Sequence, residues 1–128
     1  MSDEYLIDSS LWIEYLAGSA KGIKVKNIIE EKSIATSILS IAELADKFER
    51  EEKDFSSFLT FIQSRAAIVP LNIALVLHAA KLKKRFRYKN NKFGLIDALH
   101  LATAQQEKLI LVTADNDFKD AENIILIR

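Results

Sequence analysis

This sequence has no cysteine, one proline and three glycines among its 128 residues. Without cysteine, disulfides, thiolate zinc sites and cysteine nucleophiles are excluded, and a cytoplasmic location is expected. Three glycines are too few for a Walker phosphate loop or a GxGxxG dinucleotide turn. No apolar run approaches the roughly 20 residues of a membrane span, and no secretion signal opens the chain. We therefore expect no membrane association.

Carboxylates are missing from one continuous third of the chain, although the net charge is zero. Residues 1–54 carry 12 acids and 7 bases, residues 55–96 carry 8 bases and no acid, and residues 97–128 carry 6 acids and 3 bases. A strongly positive segment between acidic ones is the asymmetry expected where a polyanion meets an acidic site.

Short apolar runs alternate with segments of helical periodicity along the whole chain. Strands are predicted at residues 5–7, 34–36, 67–69, 109–112 and 124–127, with helices between them. Fully apolar strands separated by helices are typical of a parallel sheet covered on both faces. We predict an α/β protein, a single domain over residues 1–128, with three α/β/α layers around about five mainly parallel strands.

Asp8 and Asp115 are predicted to share one edge of this sheet. Sites in such sheets form outside the carboxyl ends of the strands. Asp8 directly follows the first predicted strand, and Asp115 lies three residues after the fourth. Asp8 could simply cap the next helix, although Ser9 and Ser10 could do that in its place.

Glu43 lies in the first half of a helix predicted to start near Ser37, beside apolar positions. Two structural interpretations compete with a functional one. Ser40 and Glu43 have the spacing of a capping box, and Glu43 and Lys47 have the spacing of a helical ion pair. The predicted start near Ser37 makes the capping box less natural.

Asp97 stands in an otherwise apolar helix, Leu95-Ile96-Asp97-Ala98-Leu99-His100. An unpaired carboxylate inside such a helix costs several kcal/mol, about 3–5 when a buried partner is missing, so it should be protonated, paired or bound to a cation. His100, one turn later, is an alternative partner. For Asp97, a functional role is favoured over a purely structural one.

Thr113-Ala114-Asp115-Asn116-Asp117 follows the fourth predicted strand. In an extended loop Asp115 and Asp117 would point to the same side. A solvated turn is the alternative. The segment lacks the glycine and distal glutamate of an EF-hand loop.

Several acids gathered at one end of a sheet repel each other unless a cation is bound. Oxygen ligands select hard ions such as Mg²⁺ or Mn²⁺, and two helix-embedded histidines do not indicate a zinc hydrolase. Two such ions about 3.5–4 Å apart can stabilise phosphodiester cleavage by an acidified water.

A basic segment offers contacts for nucleic-acid phosphates, and Phe86, Tyr88 and Phe93 within it offer stacking surfaces for unpaired bases. A solvated helix end complementing the dipole, with the aromatics in the core, is the alternative. Seven bases without an acid exceed what capping needs, so nucleic-acid contact is favoured. The basic segment consists of Lys81, Lys83, Lys84, Arg85, Arg87, Lys89 and Lys92.

Four motifs, LIDSSLWIEYL, SIAEL, DALHLATA and LILVTADNDF, together resemble the PIN-domain ribonucleases, particularly the VapC-type toxins of prokaryotic toxin–antitoxin pairs. The resemblance spans nearly the whole chain, although Ser10 replaces the asparagine often found after the first acid. It implies RNA hydrolysis by a metal-activated water, homodimerisation and an antitoxin partner. It also implies site roles: metal-binding and catalytic acids at Asp8, Glu43, Asp97 and Asp115, a supplementary ligand at Asp117, and hydroxyls that position water or phosphate at Thr113 and Ser9.

Two rival interpretations belong to other functional classes. A catalytically weak PIN-like module would bind protein or RNA without cutting it, but intact acids at all four positions argue against it. A phosphoacceptor receiver domain is also doubly wound. It needs an acceptor aspartate after the third strand, where this chain has Pro70 and Leu71.

Overall fold

The computed structural model describes residues 3–128, so the first two residues of the predicted domain lie outside the described part. Helices and strands alternate along the chain as the sequence predicts, with small differences at the ends of elements. Their bounds are β1 Tyr5–Ile7, α1 Ser9–Ala17, α2 Ala20–Glu31, β2 Ile34–Ser37, α3 Ile38–Arg50, α4 Ser56–Arg65, β3 Ala66–Val69, α5 Ile73–Arg87, α6 Leu95–Glu107, β4 Ile110–Thr113, a 3₁₀ turn Asn116–Phe118 and β5 Ile124–Leu126.

The five strands form one sheet in the order β3-β2-β1-β4-β5, and every neighbouring pair is parallel. The chain first builds outward from β1 to β2 and β3, and then returns to place β4 on the other side of β1. This reversal makes the carboxyl ends of the central strands β1 and β4 a topological switch point, where ligands bind in open α/β sheets.

Helices cover both faces of the sheet, which confirms the predicted three-layer α/β/α architecture. On one face the buried side chains of α5 and α6 pack against Leu6 and Leu111. On the other face helices α1 to α4 pack against Ile7 and Val112. Successive strand residues point to opposite faces, so strands buried on both sides are largely apolar, with polar residues near their carboxyl ends.

The aromatic residues of the first half of the chain form a packed cluster. Trp12 is fully buried and meets Phe58 edge-on, with ring centroids 6.2 Å apart. Tyr15 stacks on Phe61 at 5.8 Å. These contacts hold α1 against α4 and thereby fix the helix that begins at Asp8.

Two glycines let α1 end abruptly and let α2 approach it closely. Gly18 adopts a left-handed conformation with φ of 65° and is the C-cap of α1, as expected for a glycine directly after a helical run. A Cβ on Gly22 would lie 2.1 Å from the backbone oxygen of Glu14, so only glycine fits there.

Within the described residues 3–128, no helix combines the length and the hydrophobicity needed to cross a membrane.

Candidate functional site at the carboxyl edge of the sheet

Asp8 and Thr113 meet at the carboxyl edge because β1 and β4 are neighbours, with Ile7 in register with Val112. The backbone N–H of Asp8 continues this ladder by donating to the Val112 carbonyl at 3.2 Å. Strand β4 extends to Thr113, one residue beyond the predicted end, so Asp115 lies two residues after the strand rather than three. The predicted common edge for Asp8 and Asp115 is confirmed.

Asp8 is buried, with 5% of the residue exposed, and its carboxylate accepts several hydrogen bonds. Oδ1 accepts from the Leu11 backbone N–H at 3.2 Å and from the Ser10 hydroxyl at 2.6 Å, and Oδ2 accepts from the Thr113 hydroxyl. Asp8 is therefore the N-cap of α1. The capping role that the sequence offered for Asp8 is confirmed, and Ser9 and Ser10 lie inside the first turn. Burial raises the pKa of Asp8 despite these donors.

Thr113 and Asp115 organise the acidic turn after β4. The buried Thr113 hydroxyl accepts from the Asp115 backbone N–H at 3.0 Å while it donates to Asp8. Asp115 caps the 3₁₀ turn by accepting from the Asp117 N–H at 2.9 Å, and Asp117 accepts from the Asn90 side-chain amide at 3.0 Å. The extended loop considered from the sequence is wrong, because this capping folds the segment into a turn.

Glu43 projects from α3 toward α1 and α6. Its Oε1 accepts from the Ser9 hydroxyl at 3.1 Å and lies 2.8 Å from Nε2 of His100. Burial alone raises the pKa of Glu43, but hydrogen bonding by His100 and Ser9 outweighs it, so the pKa is lowered.

Both structural alternatives for Glu43 fail. Lys47 pairs with Glu51, and Ser37, not Ser40, is the N-cap of α3. The position of Glu43 is therefore explained neither by helix capping nor by an ion pair along its own helix.

Asp97 occupies the first turn of α6, not the interior of an apolar helix, and its neighbours Leu95 and Ile96 are 47% and 44% exposed. Its Oδ2 accepts from the Gly94 backbone N–H at 2.8 Å. The Gly94 N–H and the helix dipole, which favours an acid at a helix N-terminus, therefore offset part of the expected penalty. The alternative pairing with His100 is wrong, because His100 faces Glu43.

The pKa of Asp97 is nevertheless raised. Partial burial is the main cause, the Gly94 N–H opposes it, and the negative charges of Asp115 and Asp117 add to the rise. Three acids from α6 and the turn after β4 therefore lie within electrostatic reach of one another.

Two hydrogen-bonded groups make up the edge. One joins Asp8, Thr113, Asp115 and Asp117, and the other joins Ser9, Glu43 and His100. Within residues 3–128, no three acidic or histidine side chains stand close enough together to hold an ion as they are. The described acids are held by donors from the chain itself.

Sequence reasoning missed three residues of this site. The sequence offers His100 only as an alternative partner of Asp97, and it gives no signal for Asn90. Ser10, which departs from the pattern of its motif, both donates to Asp8 and accepts from the Ala114 N–H at 3.3 Å. Its hydroxyl links the loops after β1 and β4, a role that only the fold reveals.

The basic segment is exposed at six of its seven bases, with Lys83 half-buried. None of the seven forms an ion pair with an acid of the described chain. Their positive charge is therefore available to an external anion. Lys83, Lys84 and Arg87 line a shallow pocket of about 440 Å³ together with Tyr88.

The prediction that three aromatic residues of this segment offer stacking surfaces is wrong for two of them, for which the alternative of a place in the core is confirmed. Phe93 is fully buried and Phe86 stacks on it at 5.0 Å, so both belong to the core. Tyr88 alone of the three is strongly exposed, at 85%.

Opposite pKa shifts at Asp8 and Glu43 generate a test of the site's electrostatics. A raised folded-state pKa favours folding below the unfolded value of 3.8, and this advantage is lost as pH rises through the folded pKa. Asp8→Asn keeps an N-cap acceptor and removes the buried charge. In EDTA at neutral pH its thermal unfolding midpoint, followed by circular dichroism, is expected to exceed that of the wild type, with the difference vanishing in acid.

Glu43→Gln is the matched control because the sign is reversed. A lowered pKa contributes stability above the unfolded value of 4.5 and loses it as pH falls through the folded pKa. Glu43→Gln is therefore expected to lower the midpoint at neutral pH. An Asp8→Asn variant less stable than the wild type at neutral pH would contradict the assigned cost of burial.

Solved structures of similar fold come from several prokaryotes. A toxin–antitoxin complex from Klebsiella pneumoniae superposes with a TM-score of 0.80, at 19% identity over 98% of this chain and 98% of that chain. VapBC2 from Rickettsia felis, bound to a DNA fragment from its promoter, gives 0.76 at 22% identity over 95% and 96%. VapC20 from Mycobacterium tuberculosis, a Sarcin-Ricin loop cleaving toxin, gives 0.73 at 16% identity over 98% and 100%.

A comparison with curated protein sequences gives no match. At the identities above, the structural likeness establishes the fold alone. The family is established by a sequence model, that of the PIN domain, which matches residues 5–124. Since this match covers almost the whole length, from β1 to the start of β5, the chain belongs to the PIN-domain family.

Proposed function

We propose that this chain is a divalent-metal-dependent endoribonuclease and the toxin of a toxin–antitoxin pair. One observation carries the proposal: Asp8, Glu43, Asp97 and Asp115, which are up to 107 positions apart in sequence, gather at the carboxyl edge of the sheet beside an exposed basic segment. Membership of the PIN-domain family supports it.

The donor chemistry of the site fits Mg²⁺ or Mn²⁺. Asp8, Glu43, Asp97 and Asp115 are the proposed ligands, all of them oxygen donors of the kind that hard cations select. Burial raises the pKa values of Asp8 and Asp97, so their ionised forms carry a cost that a cation would offset. Asp117 is a supplementary ligand, with one oxygen engaged by Asn90.

When bound, a divalent ion supplies positive charge to the scissile phosphate and acidifies a water. The chain's own residues hold the carboxylates in place. Thr113 fixes Asp8, and Ser9 fixes one oxygen of Glu43. In this proposal both hydroxyls position water or phosphate through the carboxylates they hold. Substrate reaches the edge along the basic segment. Asn90, which lies between Lys89 and Lys92, donates a hydrogen bond to Asp117 of the acidic turn.

RNA is the proposed substrate class. Unpaired basic side chains favour a polyanion, and exposed Tyr88 offers one surface for stacking an unpaired base. The similar toxin from Mycobacterium tuberculosis cleaves the Sarcin-Ricin loop.

Removing the charge of Asp97 is the first test. Asp97→Asn keeps an acceptor for the Gly94 N–H, so the variant is expected to fold. Loss of one charged ligand should lower Mg²⁺-dependent cleavage of a mixed RNA pool at least about 100-fold. Exposed Asp120 in the neighbouring loop provides the control, and Asp120→Asn should cut as the wild type does.

Cleavage by Asp97→Asn at the wild-type rate would remove Asp97 from the site. A wild-type protein that binds RNA but cuts none with Mg²⁺ or Mn²⁺ would favour the other candidate, a PIN-like binding module. The absence of a ready three-ligand cluster among residues 3–128 is the observation on its side.

The basic segment generates a second test. Replacing Lys83, Lys84 and Arg87 together by alanine should weaken binding of single-stranded RNA and reduce the slope of log affinity against log salt by about 2, since each phosphate contact contributes about 0.7. Fluorescence anisotropy at several salt concentrations, with metal omitted, measures both.

Lys21, Lys26 and Lys32 provide a control with the same change in charge. They lie on or next to α2, against the opposite face of the sheet. Their combined replacement should leave the salt slope close to that of the wild type. Equal slopes for both triple variants would show that the basic segment is not the contact surface.

An antitoxin partner is proposed because similar structures are toxin–antitoxin complexes. A groove of about 440 Å³ between α1, α3 and α4 has the apolar character that a partner helix would cover. Its lining includes Tyr15, Leu16, Phe48, Phe58 and Phe61.

A homodimer is proposed through a different surface, on α5. Ile73 and Leu77 on α5 are 79% and 61% exposed, and Val76 beside them is 44% exposed. These side chains lie at helical spacing on one face, and such a stripe can pack against its own copy about a two-fold axis.

Charge introduced into this stripe tests the dimer. Ile73→Glu combined with Leu77→Glu should shift the wild-type dimer to a monomer in size-exclusion chromatography with light scattering, because two carboxylates per copy would be buried against their symmetry mates. Ile23→Glu on α2, at a position 67% exposed, is the control and should remain dimeric. A monomeric wild type, or dissociation by the control alone, would contradict the assignment.

A further inference from the structure

His100 is a buried polar residue with one side-chain partner. It is 4% exposed and lies in α6 within an unbroken run of buried residues from Ala98 to Ala104. Its Nε2 lies 2.8 Å from Oε1 of Glu43, while its Nδ1 is buried and has no hydrogen-bond partner among the described residues. A leucine here would avoid the cost of an unpaired buried nitrogen. Packing therefore does not explain this histidine.

The carboxylate that His100 meets has two unequal oxygens. Oε1 accepts from both the His100 ring and the Ser9 hydroxyl. Oε2 has no donor within residues 3–128, and the Glu43 side chain remains 42% exposed. The two donors hold one oxygen and leave the lone pairs of the other available.

We infer that His100 is a positioning residue for the metal centre: it holds Glu43 through Oε1 so that Oε2 is presented to the cation. The inference rests on the proposed function and deepens it. Nε2 carries the proton in this arrangement, because a carboxylate can only accept.

A fixed ring is suited to this role. Glutamate has three rotatable side-chain bonds and loses conformational freedom when it becomes a ligand. A donor locked by core packing removes part of that loss before the ion arrives. Outer partners of metal ligands act in this way, and their loss costs about 10–100-fold in metal affinity.

Three variants separate hydrogen bonding from packing. His100→Leu removes the donor and fills the space. His100→Gln places an amide N–H near the position of Nε2. Thr103→Val is the matched control, since it removes a different fully buried hydrogen-bond donor from the same helix. The Thr103 hydroxyl donates to the Leu99 carbonyl.

The measurement is Mn²⁺ affinity by isothermal titration calorimetry in the absence of RNA, with circular dichroism to verify folding. His100→Leu should bind Mn²⁺ about 10-fold or more weakly than the wild type. His100→Gln should stay within about 3-fold and Thr103→Val should match the wild type, since the donor to Glu43 is kept in both. RNA cleavage by His100→Leu should recover at saturating Mn²⁺.

A double-variant cycle tests whether His100 acts through Glu43. The combination of His100→Leu with Glu43→Gln should bind Mn²⁺ no more weakly than Glu43→Gln alone, because the shared carboxylate is already lost. Additive losses would overturn the inference.

The inference also fails if folded His100→Leu retains wild-type affinity, or if the leucine and glutamine variants lose affinity equally. A wild-type protein that binds no Mn²⁺ and cuts no RNA overturns the proposed function together with it. Cleavage by a wild-type protein whose Mn²⁺ affinity is indifferent to His100→Leu overturns the inference alone.

Discussion

The hydrogen bond from the Thr113 hydroxyl to the buried Asp8 carboxylate joins the ends of the two central strands. Thr113 also accepts from the Asp115 N–H, so one hydroxyl sets both the first acid and the start of the acidic turn. Ser10 closes the same loop from the side of α1 by bonding Asp8 and the Ala114 N–H. Because the sheet fixes both strand ends, the remaining acids are arranged around a rigid pair.

The acids of the site differ in the direction in which their pKa values are shifted. Burial raises the pKa of Asp8, and burial with neighbouring negative charge raises that of Asp97. At Glu43 hydrogen bonding outweighs burial, and its pKa is lowered. Asp8 and Asp97 thus carry a cost in ionised form that Glu43 does not. A cation would relieve that cost, so binding energy and the stability of the fold are coupled at this edge.

Much of the fold could be predicted because local pattern and tertiary environment agree. Each apolar run predicted as a strand is a strand of the parallel sheet, shifted by at most one residue at an end. Side-chain partners could not be predicted in the same way. His100 and Glu43 are 57 positions apart, and the sequence offered only the nearer Asp97 as an alternative partner of His100. Periodicity also could not tell that Phe93 faces the core.

The zero net charge conceals two regions of opposite charge, and a hydrogen bond between Asn90 and Asp117 joins them. The exposed bases on and after α5 lie without acidic partners in the described chain, and the acids gather where β1 and β4 end. Asn90 belongs to the basic region by position, yet its side-chain Nδ2 donates to Asp117 and its side-chain Oδ1 accepts from the Lys92 N–H. This residue orders the loop after α5 against the acidic turn. In the proposed function, this ordered loop would bring a polyanion bound by the bases next to the acids. Charge alone would not do so, since the acids repel a polyanion.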